Sequence, residues 1–422
     1  MTEEFIYYLW QYRLYDPNSY LVDGTSFDVV HVGYKNSDSG PDFFNAKIKI
    51  GDTLWAGNVE VHVNSSDWFL HRHDRDPQYD NTILHVVWEH NADVRRKDKT
   101  IIPTLELKNY VSEKSWQRYL EFMTSNTQIP CQNLIGTVGD FELKMWLQRL
   151  LVERLQRKSL LVELYLTQTN NDWAVTFYKL LAYNMGFKVN QQAFEMLAQS
   201  LPYNYLLKHS DDLFQIEAMI LGQAGLLRPD FKDKYPQDLY KEYKFLQHKF
   251  SLKPIDAGLW KFMRLHPENF PTLRLTQLAA LIHQAKGSIS ELAEISNIKD
   301  YYKFFDVKSS SYWDNHYVFD KISTNKVKRL GKSSVNLLII NLLAPFLFVY
   351  YKRKNISQKL NFPISLLEEL KAENNSLIRK FKAMGIDVKT AADSQALIQL
   401  NNFYCNKKQC LNCGIGISLL KN

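Results

Sequence analysis

Asp38-Ser39-Gly40-Pro41-Asp42, then Asn45-Ala46-Lys47-Ile48-Lys49-Ile50, then Leu54-Trp55-Ala56-Gly57-Asn58-Val59-Glu60-Val61-His62-Val63, decide how the first part of the chain folds. Gly and Pro mark a turn that ends in an acid. The next run alternates polar and apolar residues, the period of a half-buried strand. The third run continues as another strand, and the pair reads as a hairpin. Residues i and i+2 of a strand share a face, so Glu60 and His62 project together, and closing the hairpin brings Asp42 towards them. Two carboxylates and an imidazole gathered in this way can hold a divalent ion and activate a water. The same residues also have plainer uses. An Asp after Pro caps turn amides, and Glu and His on a strand can face solvent.

Outward from the hairpin, Phe5, Ile6, Leu9, Trp10 and Leu14 form a helical stripe over residues 3–15, with Glu3 and Glu4 in its first turn. Residues 27–32, 82–88 and 101–107 read as further strands. From Asp140 the period becomes helical and stays so over 141–166, 173–185, 191–199, 213–222, 239–249, 273–285 and most of the remaining chain. Residues 301–320 are rich in aromatics and show no clear period. The expected fold class is α+β, an N-terminal mixed sheet with flanking helices followed by a large all-α region. The expected division is an α/β domain over 1–135, a helical domain over 136–300, and a C-terminal helical region over 301–422 ending in a cysteine cluster.

Composition bounds the function. With 422 residues the chain has material for two or three domains. Its formal net charge of +7 is compatible with a polyanionic partner, although it is modest for this size. Four cysteines, three of them clustered, do not make a secreted disulfide framework. Met1-Thr2-Glu3-Glu4 is acidic where a secretion signal needs a basic start, so a cytoplasmic location is expected. The most apolar run, 335–351, contains Asn336, Asn341 and Pro345 and is short for a span. It reads as a buried helix broken at Pro345, and no membrane partner is expected.

Three further groups could carry chemistry. His71-Arg72-His73-Asp74-Arg75-Asp76 is dense enough in His and Asp to bind a transition metal or, through its arginines, phosphate. On a polar loop it could equally be solvated. His85 lies inside an apolar run, where a core histidine is the simpler reading and a position facing the Glu60 cleft the sharper one. Cys405, Cys410 and Cys413 are spaced to converge on one metal. Lys407 and Lys408 beside them would favour thiolates. Cys131, the remaining cysteine, would complete a four-thiolate site for zinc or a [4Fe–4S] cluster. Lastly, Arg149, Arg154, Arg157 and Lys158 share a helix with Leu147, Leu150, Leu151 and Leu155 and could contact phosphates or form a solvated face. Arg264, in Arg264-Leu265-His266-Pro267-Glu268-Asn269-Phe270-Pro271, could meet a ligand or be a buried arginine tying two helices together.

Pro41-Asp42, a strand, and then acid-x-base on the next strand resemble the core of the PD-(D/E)XK nucleases. That resemblance implies Mg²⁺ or Mn²⁺ held by Asp42 and Glu60, with His62 where the family usually has a water-assisting Lys. It also implies Glu4 as an accessory acid on the first helix. Asn36-Ser37-Asp38-Ser39-Gly40-Pro41-Asp42-Phe43, Gly57-Asn58-Val59-Glu60-Val61-His62, Ser65-Ser66-Asp67-Trp68, Tyr79-Asp80-Asn81-Thr82-Ile83-Leu84-His85-Val86-Val87, the Arg264–Pro271 stretch and the terminal cysteines resemble the DUF2851 family of bacterial proteins. The split of one upstream and three C-terminal cysteines is similar in arrangement to the iron–sulfur nucleases of CRISPR systems and of bacterial helicase–nuclease complexes. The expectation is a metal-dependent nuclease-like protein that hydrolyses or binds DNA or RNA. Its rivals are a catalytically inactive nucleic-acid-binding module and a protein-interaction scaffold with a structural metal site.

Overall fold

In the computed structural model, which describes residues 1–36, 38–287 and 289–421, the run ending in Glu60-Val61-His62 is the middle strand of a mixed sheet. Ser37, Ser288 and Asn422 lie outside the described residues. The chain divides into two compact units, Met1–Trp146 with Leu400–Asn422, and Leu147–Gln399. The last residues therefore belong with the first ones.

The first unit opens with α1 (Glu3–Tyr12), which buries the apolar stripe Phe5, Ile6, Leu9 and Trp10 and ends where Arg13 turns left-handed at φ 52°. Then come β1 (Phe27–His31), β2 (Tyr34–Lys35), β3 (Phe43–Ile50) and β4 (Thr53–Asn64). After the short helix α2 (Asp67–Leu70) come β5 (Thr82–Glu89), β6 (Thr104–Glu106) and α3 (Glu113–Thr124). The sheet order is β1-β3-β4-β5-β6, with β2 added on β3. β1, β2 and β4 meet β3 antiparallel, whereas β4–β5 and β5–β6 are parallel. The β3–β4 hairpin and the β5 strand thus match the sequence reading. The helix α3, whose Tyr119 stacks on Phe5 at 4.3 Å, starts after Ser112 in a stretch where no helix was expected.

Parallel pairing has a consequence for the site. Two parallel neighbours cannot be joined by a tight turn and need a crossover of about a dozen residues or more. Between β4 and β5 that crossover is α2 and two 3₁₀ turns, His73–Arg75 and Pro77–Tyr79. The polar stretch read as a loop is thereby held against the sheet by buried Trp68 and Tyr79.

The second unit is helical. α4 (Asp140–Gln168) starts in the first unit and leads into α5 (Trp173–Met185), α6 (Gln191–Ser200), α7 (Tyr203–Leu207), α8 (Leu213–Gln223), α9 (Lys234–Phe250) and α10 (Pro271–Ala285). The aromatic stretch without a period contains a 3₁₀ turn and a small hairpin, His316–Val318 with Lys321–Ile322, packed on buried Trp313. The apolar run is one helix, Lys332–Arg353, long and apolar enough to cross a membrane by length and composition, with 67% of its most apolar window buried. It is not broken at Pro345. A π-helical turn, Ile339–Leu343, widens the helix just before the proline and relieves the clash of its ring with the preceding turn.

Two sequence expectations change here. Arg154 and Lys158 are not free for phosphate. Arg154 donates to Gln395, and Lys158 donates to Gln395, Asn341 and the Ile340 carbonyl. Arg264 is exposed at φ 60°, and the buried arginine that joins helices is Arg274.

Candidate metal centre

A bulge sets the position of the first acid. The β3–β4 register shifts between Phe43 and Ala46, with Asn45 at φ 56°, and Phe43 then pairs with Val59. Asp42 therefore lies across from Glu60. The Asp42 amide donates to Glu60 Oε2 at 3.1 Å, and the Val61 amide donates to Asp42 Oδ2 at 3.0 Å. Tyr7, one turn after Glu3 on α1, donates its hydroxyl to Asp42 Oδ1 at 3.0 Å. Bulges commonly redirect a side chain in this way.

The predicted trio is brought together, and the crossover adds to it. Glu60 Oε1 lies 3.3 Å from His73 Nε2 and 3.7 Å from His62 Nε2, and His62 Nε2 lies 3.1 Å from His71 Nδ1. One ring nitrogen from each of His62, His71 and His73 falls within 4.8 Å of the others. Ligands at about 2.0–2.2 Å around a tetrahedral ion stand about 3.4 Å apart, so these separations suit a shared cation. His62 is buried, His73 half-buried and His71 exposed, so the centre opens to solvent on the His71 side.

His85 is fully buried, as a core histidine would be, and it also touches the cluster. In the parallel register it pairs with Glu60, and its Nε2 meets His62 Nδ1 at 2.8 Å. If His62 offers its Nε2 lone pair to a cation, its Nδ1 carries the proton and donates to His85. This outer partner fixes tautomer and ring angle. His85 Nδ1 has no partner among the described residues. The isosteric change His85→Phe is expected to lower divalent-metal affinity about 10–100-fold with the fold retained. A competition titration against a chelating dye reads it, and unchanged affinity would mean that His85 is packing only.

On α1 it is Glu3, rather than Glu4, that lies near the cluster. Burial raises the pKa of Glu3, and the neighbouring His71, Asp67 and His73 act on it in turn. Glu4 is exposed and acts on Tyr119 instead. Glu3 and Tyr7 escaped sequence reading; their signal is the one-turn spacing on α1.

The electrostatics are those of a site prepared for positive charge. Burial, then the facing Glu60 charge, pushes Asp42 up to about 7, and burial pushes Glu60 up to about 8. Burial, then the neighbouring imidazoles, pushes His62 down to about 2, and burial drives His85 down to about 3. These imidazoles stay neutral and keep lone pairs for a metal. The raised acids fix the sign of a pH effect. Their contribution to the metal-free fold is full below the ordinary carboxylate pKa and is lost as pH rises through about 7 and 8. A bound cation removes that penalty by favouring the ionised forms. The gain in melting temperature on adding Mn²⁺ should therefore grow from pH 6 to about pH 8.5. A gain that is flat or shrinks over that range would contradict the assignment.

All four cysteines gather at a second place in the same unit. Cys131 comes after α3, Cys405 ends a π-helical turn, Cys410 starts a 3₁₀ turn, and Cys413 precedes the C-terminal helix Gly414–Lys421. They line one small cavity together with Leu400 and Tyr404. All are buried and none is in a disulfide. A Cβ on Gly416 would stand 2.2 Å from the Cys410 carbonyl oxygen, so only glycine allows this close approach. The expected lowering of thiol pKa by the lysines does not hold. Burial outweighs it and pushes Cys131 and Cys410 up to about 12, and Cys405 higher. Four buried thiols around one cavity fit a metal whose charge would favour the thiolates.

Fold and sites together define an α+β protein with a carboxylate–imidazole centre and a separate four-cysteine site. The chain belongs to the DUF2851 family, described as a protein of unknown function, whose model matches residues 3–376. The cysteine trio lies beyond the matched span. No curated protein and no solved structure matches the chain.

Proposed function

We propose that this chain is a metal-dependent, nuclease-like hydrolase of DNA or RNA phosphodiesters. The observation that carries the reading is the cluster of Glu60 Oε1, His62 Nε2, His73 Nε2 and His71 Nδ1 beside the anchored Asp42 carboxylate. This mixed oxygen–nitrogen donor set suits Mn²⁺ or a neighbouring transition ion better than Mg²⁺, which prefers oxygen ligands. Glu60, His62, His71 and His73 would hold the ion. A divalent ion there polarises a phosphoryl oxygen and lowers the pKa of a water it binds. His62, neutral and paired with His85, serves as a ligand rather than as the fixed positive charge a lysine would supply. Asp42, oriented by Tyr7 and the Val61 amide, would be ionised beside a bound cation and could then accept a proton. Lys35, whose ammonium lies 5.2 Å from the Tyr7 ring, and exposed Arg72 stand at the rim where a phosphate backbone would pass.

The cysteine site is read as a structural metal site, zinc or [4Fe–4S], that ties the turn at Cys131 to the terminal residues from Leu400 onward. Metal analysis and an absorption spectrum of anaerobically purified protein identify the metal. Brown protein with broad visible absorption means iron–sulfur, and colourless protein with stoichiometric zinc means zinc.

The activity is tested on labelled single- and double-stranded DNA and RNA with Mn²⁺, Mg²⁺ or EDTA. Cleavage with Mn²⁺ and none with EDTA supports the reading. Nucleic-acid binding that EDTA leaves unchanged, without cleavage, replaces it with an inactive binding module. Absence of any salt-dependent affinity replaces it with a protein scaffold.

A further inference from the structure

The helical unit contains a buried cation that has no ion-pair partner among the described residues, Glu268 acting on it only from beyond that distance. Arg274, on the first turns of α10, is 5% exposed. Its guanidinium donates to three neutral acceptors, Gln277 Oε1 at 2.9 Å, Asn269 Oδ1 at 2.5 Å and Ser334 Oγ at 2.9 Å. Its Cζ lies 4.6 Å from the centroid of the Phe187 ring. Its Nε–H has no partner, and no carboxylate lies within ion-pair distance among the described residues. A buried cation left without a counter-ion is costly, and such groups are ordinarily paired or bound to a ligand.

Arg274 lines a cavity of about 200 Å³ with Phe187, Phe194, Asn269, Ser333 and Ser334. The polar groups left over there are donors. Ser334 Oγ already accepts from Arg274, so its hydroxyl hydrogen is free to donate. Asn269 has spent its oxygen on the same guanidinium and retains its amide hydrogens. Ser333 and Ser334 stand in the first turn of the 22-residue helix Lys332–Arg353, whose N-cap Gly331 gives no side-chain bond to the free amides. The wall carries one formal charge, positive, and no acid. A water occupies about 30 Å³ of liquid, so the space takes an oxyanion and a few further atoms.

We propose that this cavity is a binding site for a phosphoryl group, free or at the end of a small phosphomonoester, with the Arg274 guanidinium and the Ser334 hydroxyl as its principal donors. The site is separate from the metal centre. It also gives a role to the Arg264–Pro271 stretch, which supplies Leu265, Asn269 and Pro271 to the wall. Burial already depresses the guanidinium pKa to about 10, a penalty that an anion would relieve.

The test uses the full chain in EDTA at constant ionic strength, titrated calorimetrically with inorganic phosphate and, separately, with glycerol phosphate. Sodium chloride serves as the control. Two variants keep the outcome readable if one folds poorly. Arg274→Lys keeps the charge and loses the fork. Ser333→Glu, at an exposed position, places a carboxylate at the cavity mouth where a first-turn acid favours the helix. Saturable binding of either probe to the parent chain, weakened about tenfold or more in both variants, is the expected result. Tighter binding of inorganic phosphate identifies the free ion as ligand, and tighter binding of glycerol phosphate a phosphomonoester. Ser333→Glu should also raise the melting temperature without added anion while abolishing the further rise with phosphate. No saturable binding, or equal binding by parent and variants, overturns the proposal.

Discussion

Glu60→Gln is expected to lower divalent-metal affinity by more than about 100-fold, beyond the loss typical of an outer-shell partner, while making the metal-free protein more stable at pH 8. The two effects have one origin. Glu60 is 4% exposed, and burial pushes its carboxyl up to about 8. Ionising it without a cation works against the fold, and the amide has nothing to ionise. The amide also keeps the shape and can still accept from the Asp42 amide that Glu60 Oε2 now engages. What it loses is the negative charge at Oε1, the atom that faces His62 and His73. An acid kept for structure alone would give the opposite sign, because its removal would destabilise the fold and leave metal affinity untouched. Melting curves with and without Mn²⁺ at pH 8 separate the cases. A metal-free melting temperature below that of the parent, with unchanged affinity for Mn²⁺, would remove Glu60 from the centre. The balance is a common one: charge-preparing groups weaken the fold locally and are retained for what they bind.

Cys131→Ser carries the second large effect. Cys131 lies far in sequence from Cys405, Cys410 and Cys413, yet shares their cavity. A metal held by all four joins the turn after α3 to the C-terminal segment. That segment is otherwise held by buried Ile415, Leu419 and Leu420 and by hydrogen bonds such as Lys408 to the Met123 carbonyl, Ser115 to the Leu420 carbonyl, and the Tyr8 hydroxyl to the Ile417 carbonyl at 3.3 Å. Structural zinc sites in small domains are worth about 10–16 kcal/mol in apparent binding at pH 7. Loss of one of four ligands should therefore exceed the about 1–3 kcal/mol expected for burying an unsatisfied hydroxyl alone. The expected result is loss of bound metal, a large fall in melting temperature, and rapid proteolysis within residues 400–422. Each of the other three Cys→Ser changes should do the same. If the parent contains no metal, or Cys131→Ser retains the full complement, Cys131 is not a ligand.

The legible part of the fold is the part set by short-range forces. The β3–β4 hairpin was legible because a period of two acts over a few residues, and the same locality put Glu60 and His62 on one face. The convergence of His71 and His73 on that face was not legible. It depends on β4 and β5 being parallel, and on the crossover between them being pinned by Trp68 and Tyr79. Local spacing does not carry that information. Which of Glu3 and Glu4 faces the cluster was not legible for a related reason. Adjacent residues on a helix point about 100° apart, and only packing on the sheet decides which one faces inward. The helix α3 was missed although Trp116, Tyr119, Leu120 and Met123 make an apolar stripe after the cap-type residue Ser112. At Pro345 the proline rule was right about the clash but silent about the π turn that absorbs it. The cysteine site was half legible. The trio announced itself by spacing, Cys131 joined by elimination, and the burial that raises the thiols came only with the fold.

The central claim is that Asp42 and Glu60 serve metal-dependent cleavage of nucleic acid. The most direct measurement compares the parent chain with the Asp42→Ala/Glu60→Ala double variant on the same labelled DNA and RNA in Mn²⁺. Circular dichroism would confirm that both are folded. Cleavage by the parent that falls to the EDTA background in the variant is the predicted result. Equal cleavage by the two, or none by a parent that binds Mn²⁺, would contradict it.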